Sequence, residues 1–125
     1  MTPTDRKYSK DHEWVILEGA NARVGITAHA TEALGDIVYV ELPAIGAEIK
    51  VGESFAVVES VKAVSNVFTP VGGTIVGVND ALEAEPQLLN EAPYENYIAL
   101  FEVSEIAEAE LMDAAAYDAF VQNEG

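Results

Sequence analysis

Lys62 stands between two runs of β-branched residues, in Val57-Val-Glu-Ser-Val-Lys-Ala-Val-Ser-Asn-Val-Phe-Thr-Pro70. Its neighbours Val61 and Ala63 are small or apolar, so an amine at a hairpin tip here is sterically open. A primary amine can be acylated, but with a pKa of about 10.4 it is mostly charged at neutral pH. It becomes a nucleophile only when an enzyme takes its proton and offers an activated acyl group. The residues alone leave two plainer readings open. A lysine solvated in a turn is the commonest fate of the residue type. Glu59 to Asn66 also has the Val61/Val64 spacing of a short helix.

Other chemistry is scarce. No cysteine occurs, which removes disulfides, thiolate-bound zinc, iron–sulfur clusters and thiol catalysis. The two histidines, His12 and His29, are too few for a His-rich metal site, and no metal site is expected. Neither has the surroundings of a nucleophile–base pair, and His12 reads as a structural turn residue. No calcium-loop spacing of Asp, Asn and Gly is present. Gly72-Gly73 is followed by no Lys-Ser/Thr pair and opens no helix, so it is not a phosphate loop. Lys and Arg total 6 against 22 Asp and Glu, for a net charge of -16. Such a field repels phosphate backbones and anionic lipids, which argues against nucleic-acid and membrane-surface partners. No stretch reaches the roughly 18 apolar residues of a membrane span. Met1 to Lys7 lacks the apolar region of a secretory signal, so the expected compartment is the cytoplasm, or a mitochondrion if a transit peptide has been removed.

The elements that must position Lys62 are mostly strands. Glu13-Trp-Val-Ile-Leu17 and Ala22-Arg-Val-Gly-Ile26 flank a Gly/Asn turn and predict a hairpin. Thr27 caps and Gly35 stops a short helix over Ala28 to Leu34. Short strands follow at Ile37–Leu42, Ile45–Lys50, Ser54–Val58, Val64–Thr69 and Thr74–Val78, with Pro70-Val-Gly-Gly73 as a separator. This spacing argues for a small sandwich or barrel. Pro43-x-x-Gly46-x-x-Ile49-x-Val51 recurs 27 residues later as Pro70-x-x-Gly73-x-x-Val76-x-Val78, which fits an internal two-fold. Asp80–Glu85 and Gln87–Leu89 predict helical turns, and Tyr97–Val103 a last strand. Ser104 then caps a helical tail, with Ile106, Ala109, Met112, Ala116 and Phe120 on one face and Asp113 able to restart it. The expected organisation is one domain over residues 1–125, with a β core over about 8–103 and a helical tail over about 104–122.

Glu59-Ser-Val-Lys62-Ala63, with Pro70 eight residues after the lysine and Gly73 eleven after, resembles the attachment hairpin of lipoyl and biotinyl carrier domains. Biotin carriers usually set Met on both sides of the lysine, where this chain has Val61 and Ala63. The rest of the chain is similar to one family, the H protein of the glycine cleavage system. The similarity runs through Tyr8-Ser-Lys-Asp-His-Glu-Trp-Val15, Val24-Gly-Ile-Thr27, Ala33-Leu-Gly-Asp-Ile-Val-Tyr-Val-Glu-Leu-Pro43, Val58-Glu-Ser-Val-Lys-Ala63, Val78-Asn79, Leu89-Asn90 and Pro93-Tyr94, in family order.

The resemblance implies a mainly β barrel-sandwich hybrid, lipoyl-domain-like, with short helices and a C-terminal helical tail. It implies lipoate in amide linkage on Lys62, taking the net charge from -16 to -17, with Glu59, Ser60, Val61 and Ala63 read by the lipoyl-attaching enzyme. The chain would then be a non-catalytic carrier. It would accept an aminomethyl group as glycine is decarboxylated on a pyridoxal-phosphate enzyme, glycine decarboxylase. It would pass that group to a tetrahydrofolate-dependent aminomethyltransferase and be reoxidised by dihydrolipoamide dehydrogenase. The cofactor would do the chemistry and the protein would position it. Asp11 and Glu13, with Asn66 in a place often Asp in the family, match a cleft that shelters the loaded arm. The alternative is an H-like lipoate relay or regulatory lipoyl protein that does not act on glycine.

Overall fold

The computed structural model describes residues 2–124 and arranges them around two antiparallel sheets. The larger sheet has the order β1 (Lys7–Tyr8), β2 (Glu13–Glu18), β3 (Asn21–Ile26), β9 (Ala99–Ile106), β8 (Val71–Val78), β5 (Glu48–Ile49). The smaller has β4 (Ile37–Glu41), β6 (Ser54–Ser60) and β7 (Val64–Phe68), with β6 in the middle. Helix α1 (Ala28–Leu34) joins β3 to β4. The short α2 (Ala81–Ala84) and α3 (Leu88–Glu91) precede β9, and α4 (Ala114–Glu124) ends the described chain. The mainly β sandwich with a C-terminal helix is therefore as the sequence predicts.

Alternation along the strands explains why two sheets meet. Val15, Val24, Ile75 and Phe101 of the larger sheet and Val40, Val58 and Val67 of the smaller are all buried in one apolar cluster. Phe55 and Phe101 meet edge to face across it, with ring centroids 5.3 Å apart. The neighbouring residue on β2, Trp14, points the other way. It joins Tyr8, Ala114 and Tyr117 in a second cluster, where α4 covers the outer face of β1 and β2. Full burial of such side chains contributes about 1.5–3 kcal/mol each.

The repeat is visible as strand pairing. β5 and β8 lie antiparallel, with Glu48 opposite Thr74. Shifting each partner by the repeat offset of 27 exchanges that pair for Ala47 and Ile75. Those two residues are also bonded, the Ile75 N–H donating to the Ala47 carbonyl at 2.9 Å.

Three expectations need correction. No helix starts at Ser104, because Ser104 to Ile106 stay in β9, where Ile106 pairs with Val71. A 3-10 turn at Glu108–Glu110 follows, and α4 begins only after Asp113, whose carboxylate accepts from the Ala116 N–H at 2.8 Å. The expected stripe is split: Ile106, Met112 and Phe120 pack partly buried against the two clusters, Ala109 and Ala116 are exposed, and the fully covered residues of α4 are Ala114 and Tyr117. Pro70-Val-Gly-Gly73 is not a separator either. Val71, Gly72 and Gly73 are inside β8, at an irregularity in its register with β9.

Candidate functional site

The hairpin carrying Lys62 is tied down by its own serine. The Ser60 N–H donates to the Ala63 carbonyl at 2.8 Å. The Ser60 hydroxyl oxygen accepts from the N–H groups of Lys62 (3.2 Å) and Ala63 (3.0 Å). A short polar side chain that bonds its own following backbone is a turn former, so Ser60 shapes the tip on which the amine sits. Glu59, next to the last residue of β6, lies opposite Tyr39 on one side and Val64 on the other, and Ser60 is paired with Ile37. Val61 and Val64 are 70% and 68% exposed, so Lys62 rises from an apolar, solvent-facing rim. Among the described residues Lys62 forms no ion pair.

A second layer fixes the base of that tip. The Val61 N–H donates to the Asp36 carbonyl at 3.0 Å, joining the hairpin to the chain between α1 and β4. Gly35 ends α1 with φ of 82°, a left-handed conformation that favours glycine. A Cβ there would lie 3.4 Å from Lys62 Cε, an ordinary contact, so the glycine is required by its φ and the lysine stem lies over it. Asn90, on α3, clamps this segment from both sides. Its Oδ1 accepts from the Ile37 N–H at 2.9 Å and its Nδ2 donates to the Gly35 carbonyl at 2.9 Å. Asn90→Ala leaves both backbone groups unpaired and lowers stability by about 1–3 kcal/mol. Hydrogen exchange checks the placement: the Val61 amide gains more exchange than the core amide of Val24.

A cleft of about 420 Å³ opens beyond the other end of β7, lined by Ser9, Asp11, Glu13, Phe68, Leu111 and Met112 among others. From Val64 to Phe68 the strand runs about 13 Å, at ~3.3 Å per residue. The structure thus brings Asp11 and Glu13 to one wall. Asn66 is not on it; its Oδ1 accepts from the Ser54 hydroxyl at 3.2 Å instead. Glu13 is only 3% exposed. Burial raises its pKa to about 8, against the pull of the Ser9 hydroxyl, which donates to Oε1 at 2.6 Å, and of the Phe68 backbone. Its carboxyl is therefore mostly protonated at neutral pH.

That shift has a stability consequence. Between pH 4.5 and about 8 the unfolded chain has lost the Glu13 proton and the folded chain still holds it, so this contribution to stability falls as pH rises. Glu13→Gln keeps a neutral partner for Ser9 and removes the slope. Urea midpoints measured across that range in metal-free buffer decline for the native chain and stay nearly flat for the variant.

His12 sits beside Glu13 with φ of 67°, its carbonyl accepting from the Thr27 N–H at 3.0 Å. It is a turn residue, as its sequence setting predicts, and burial lowers its pKa. Its ring meets that of His29, with centroids 4.4 Å apart. No sequence signal pointed to this meeting, or to Ser9, Phe68 and Asn90 in the two sites. Leu89-Asn90 carried similarity but no hint of a partner.

Comparison with known proteins agrees with this geometry. A family model described as glycine cleavage H-protein matches residues 6–124. A glycine cleavage system H protein of Deinococcus radiodurans is 53% identical over 118 residues, covering 94% of this chain and 95% of the relative. One from Bacillus subtilis is 49% identical over 124 residues, covering 98% of each. Among solved structures, a glycine cleavage system H protein from Mycobacterium marinum superposes with a TM-score of 0.87 at 40% identity, covering 98% of this chain and 99% of that one.

Proposed function

The chain belongs to the glycine cleavage H-protein family, and on that premise we propose that it carries a lipoyl group in amide linkage on Lys62. It is the lipoyl carrier protein of glycine cleavage. A lipoate-relay role outside that system is not favoured by the relatives. The observation that carries the residue assignment is the tip itself: an exposed amine, unpaired among the described residues, on a turn braced by Ser60, Asp36 and Asn90.

The group fits the residues present. The Lys62 stem lies over Gly35, and the cleft has the volume to take an acyl chain, with Val51, Phe68, Leu111 and Met112 as the apolar part of a mixed lining. A bare lysine stem does not span the length of β7; a stem lengthened by an acyl chain does. When bound, the lipoyl group supplies the redox sulfur that a Cys-free chain lacks, and it takes up and gives back the aminomethyl unit of glycine.

The chain's own work is to present, shelter and release. Ser60 and Asn90 hold the tip so that Glu59, Val61 and Ala63 form a fixed surface for the lipoyl-attaching enzyme. Phe68, Leu111 and Met112 exclude water from one side of the cleft. Glu13, neutral when the cleft is empty of charge, releases its proton to solvent when a cationic amine enters, and the resulting ion pair is charge-assisted. Asp11 at the exposed lip adds to the negative potential. The chain makes and breaks no bond itself, and residues 1–125 act as one carrier domain.

The partners are glycine decarboxylase, the tetrahydrofolate-dependent aminomethyltransferase and dihydrolipoamide dehydrogenase. A chain of net charge -16 meets them through basic patches, in contacts that weaken with salt. The proposed compartment is the cytoplasm. Among the described residues no helix is long and apolar enough to cross a membrane. The test is reconstitution. Lipoylated chain supports glycine–bicarbonate exchange with glycine decarboxylase, and peptide mapping finds the added mass on Lys62. Lipoylated chain with no exchange activity overturns the carrier role, and added mass on another lysine overturns the site.

A further inference from the structure

The only two histidines in the chain come from different elements and meet at one carboxylate. His12 lies in the loop between β1 and β2, His29 in α1, and Glu124 at the end of α4. His12 Nε2 is 3.1 Å from Glu124 Oε1, and His29 Nε2 is 3.4 Å from the same oxygen. All three ligand atoms lie within 4.8 Å of one another.

Those two distances carry a specific meaning. In a tetrahedral site with metal–ligand bonds of about 2.0–2.1 Å, neighbouring ligand atoms stand about 3.3 Å apart. Two edges of such a site are therefore already in place. Only the gap between the two imidazoles has to narrow, and the His29 side chain is 37% exposed.

The surroundings of His12 are those of a ligand. A metal-bound imidazole engages a partner through its other ring nitrogen, which fixes the tautomer and the ring orientation. His12 Nδ1 is 2.8 Å from the Tyr117 hydroxyl, and that hydroxyl is 2.8 Å from Thr27 Oγ1. Without an ion, Nε2–H donates to Glu124 Oε1; with Nδ1–H donated to the Tyr117 oxygen instead, the Nε2 lone pair would face a cation between the two residues. The ring's backbone is pinned as well, with the His12 N–H donating to the Ser9 carbonyl at 3.1 Å and the His12 carbonyl accepting from Thr27.

We infer that His12, His29 and Glu124 form a binding site for a divalent cation of the zinc class, with water completing the coordination. Two imidazoles and one carboxylate suit borderline transition cations and not magnesium or calcium, which take oxygen ligands. The site would fasten α4 to α1 and to the loop that leads into Glu13. Its role is structural, since it lies across the second apolar cluster and not on the Lys62 hairpin.

Zinc alone is the probe. Full-length chain stripped with chelator is titrated with Zn²⁺ against a chromophoric competitor, and the melting temperature is followed in parallel. The native chain retains one equivalent, magnesium in excess does not displace it, and zinc raises the melting temperature. His29→Ala and Glu124→Gln each weaken retention by at least about tenfold and abolish the thermal shift. Both residues are partly exposed, so both variants fold. Glu105→Gln, which removes a surface acid elsewhere, changes nothing. Retention of no stoichiometric zinc by the native chain overturns the inference. So does equal retention by His29→Ala and the native chain, which would place the ion on the acidic surface at large.

Discussion

Lys62→Arg gives a folded chain that no lipoyl-attaching enzyme can modify and that supports no glycine–bicarbonate exchange. The positive charge and the aliphatic stem persist, and the side chain is exposed, so stability stays within about 0.5 kcal/mol of native. What disappears is the nucleophile. An amine deprotonated by the attaching enzyme forms an amide, whereas a guanidinium with a pKa above about 12 keeps its proton and delocalised charge. The loss is total because Lys62 is the lysine on the β6–β7 tip; Lys7 and Lys10 lie around β1, and Lys50 sits at the separate turn before β6, where its N–H donates to Glu53. Intact mass after incubation with lipoate and the attaching enzyme reads the result directly. One lipoyl group is added to the native chain and none to the variant, with thermal melting curves that coincide. A variant that still gains the mass and still supports exchange places the arm on a different lysine.

The contrast with Ser60→Ala separates presentation from chemistry. That variant keeps the amine but loses the hydroxyl that accepts from the Lys62 and Ala63 N–H groups. Modification slows and does not stop, because the Ser60 N–H still reaches the Ala63 carbonyl.

What could be read from the sequence was local. The Thr27 cap and Gly35 stop of α1 depend on residues three or four positions away, and both are as predicted. The Lys62 hairpin is equally local, since Ser60 and Ala63 close it between them. Tertiary contacts were not legible. Ser104 is a good helix cap by type, but pairing with β8 keeps Ser104 to Ile106 extended, and the propensity loses to the sheet. Tyr117 outranks Ala116 on α4 because Tyr8 stacks on it at 4.8 Å, a contact 109 positions away in the chain. The cleft was partly legible: Asp11 and Glu13 were placed by similarity, but Asn66 faces Ser54, and no sequence signal brought Phe68 to Glu13. The meeting of His12 with His29 and Glu124 needs the whole fold.

Gly73→Ala is expected to be the most damaging single-methyl change in the chain, and the reason lies in the strand that the sequence reads as a separator. Gly73 sits inside β8 opposite Val103, where the register with β9 shifts. A Cβ at this position would overlap the Glu102 carbonyl oxygen and come within 2.9 Å of its carbon and 3.1 Å of Val103 Cα. All three are backbone atoms of the neighbouring strand, so no rotamer change relieves the clash. Either β9 moves away, breaking the ladder that carries Phe101 into the core, or β8 shifts and takes with it the pairing of Ile49. Overpacking that side chains can absorb costs about 1–3 kcal/mol. Here the backbone must yield, so the loss is at least about 3 kcal/mol and lowers Tm by on the order of 10 °C. Gly77→Ala is the matched control on the same strand. Its Cβ would make ordinary contacts with Leu100, at 3.5 Å and 3.6 Å, and its stability changes little. Thermal melts of the two variants side by side decide the matter. If Gly73→Ala melts with the native chain, then β8 and β9 are not packed this closely. If it collapses while Gly77→Ala does not, the glycine eleven residues after the lysine is there for a mechanical reason: it lets β8 and β9 close against each other.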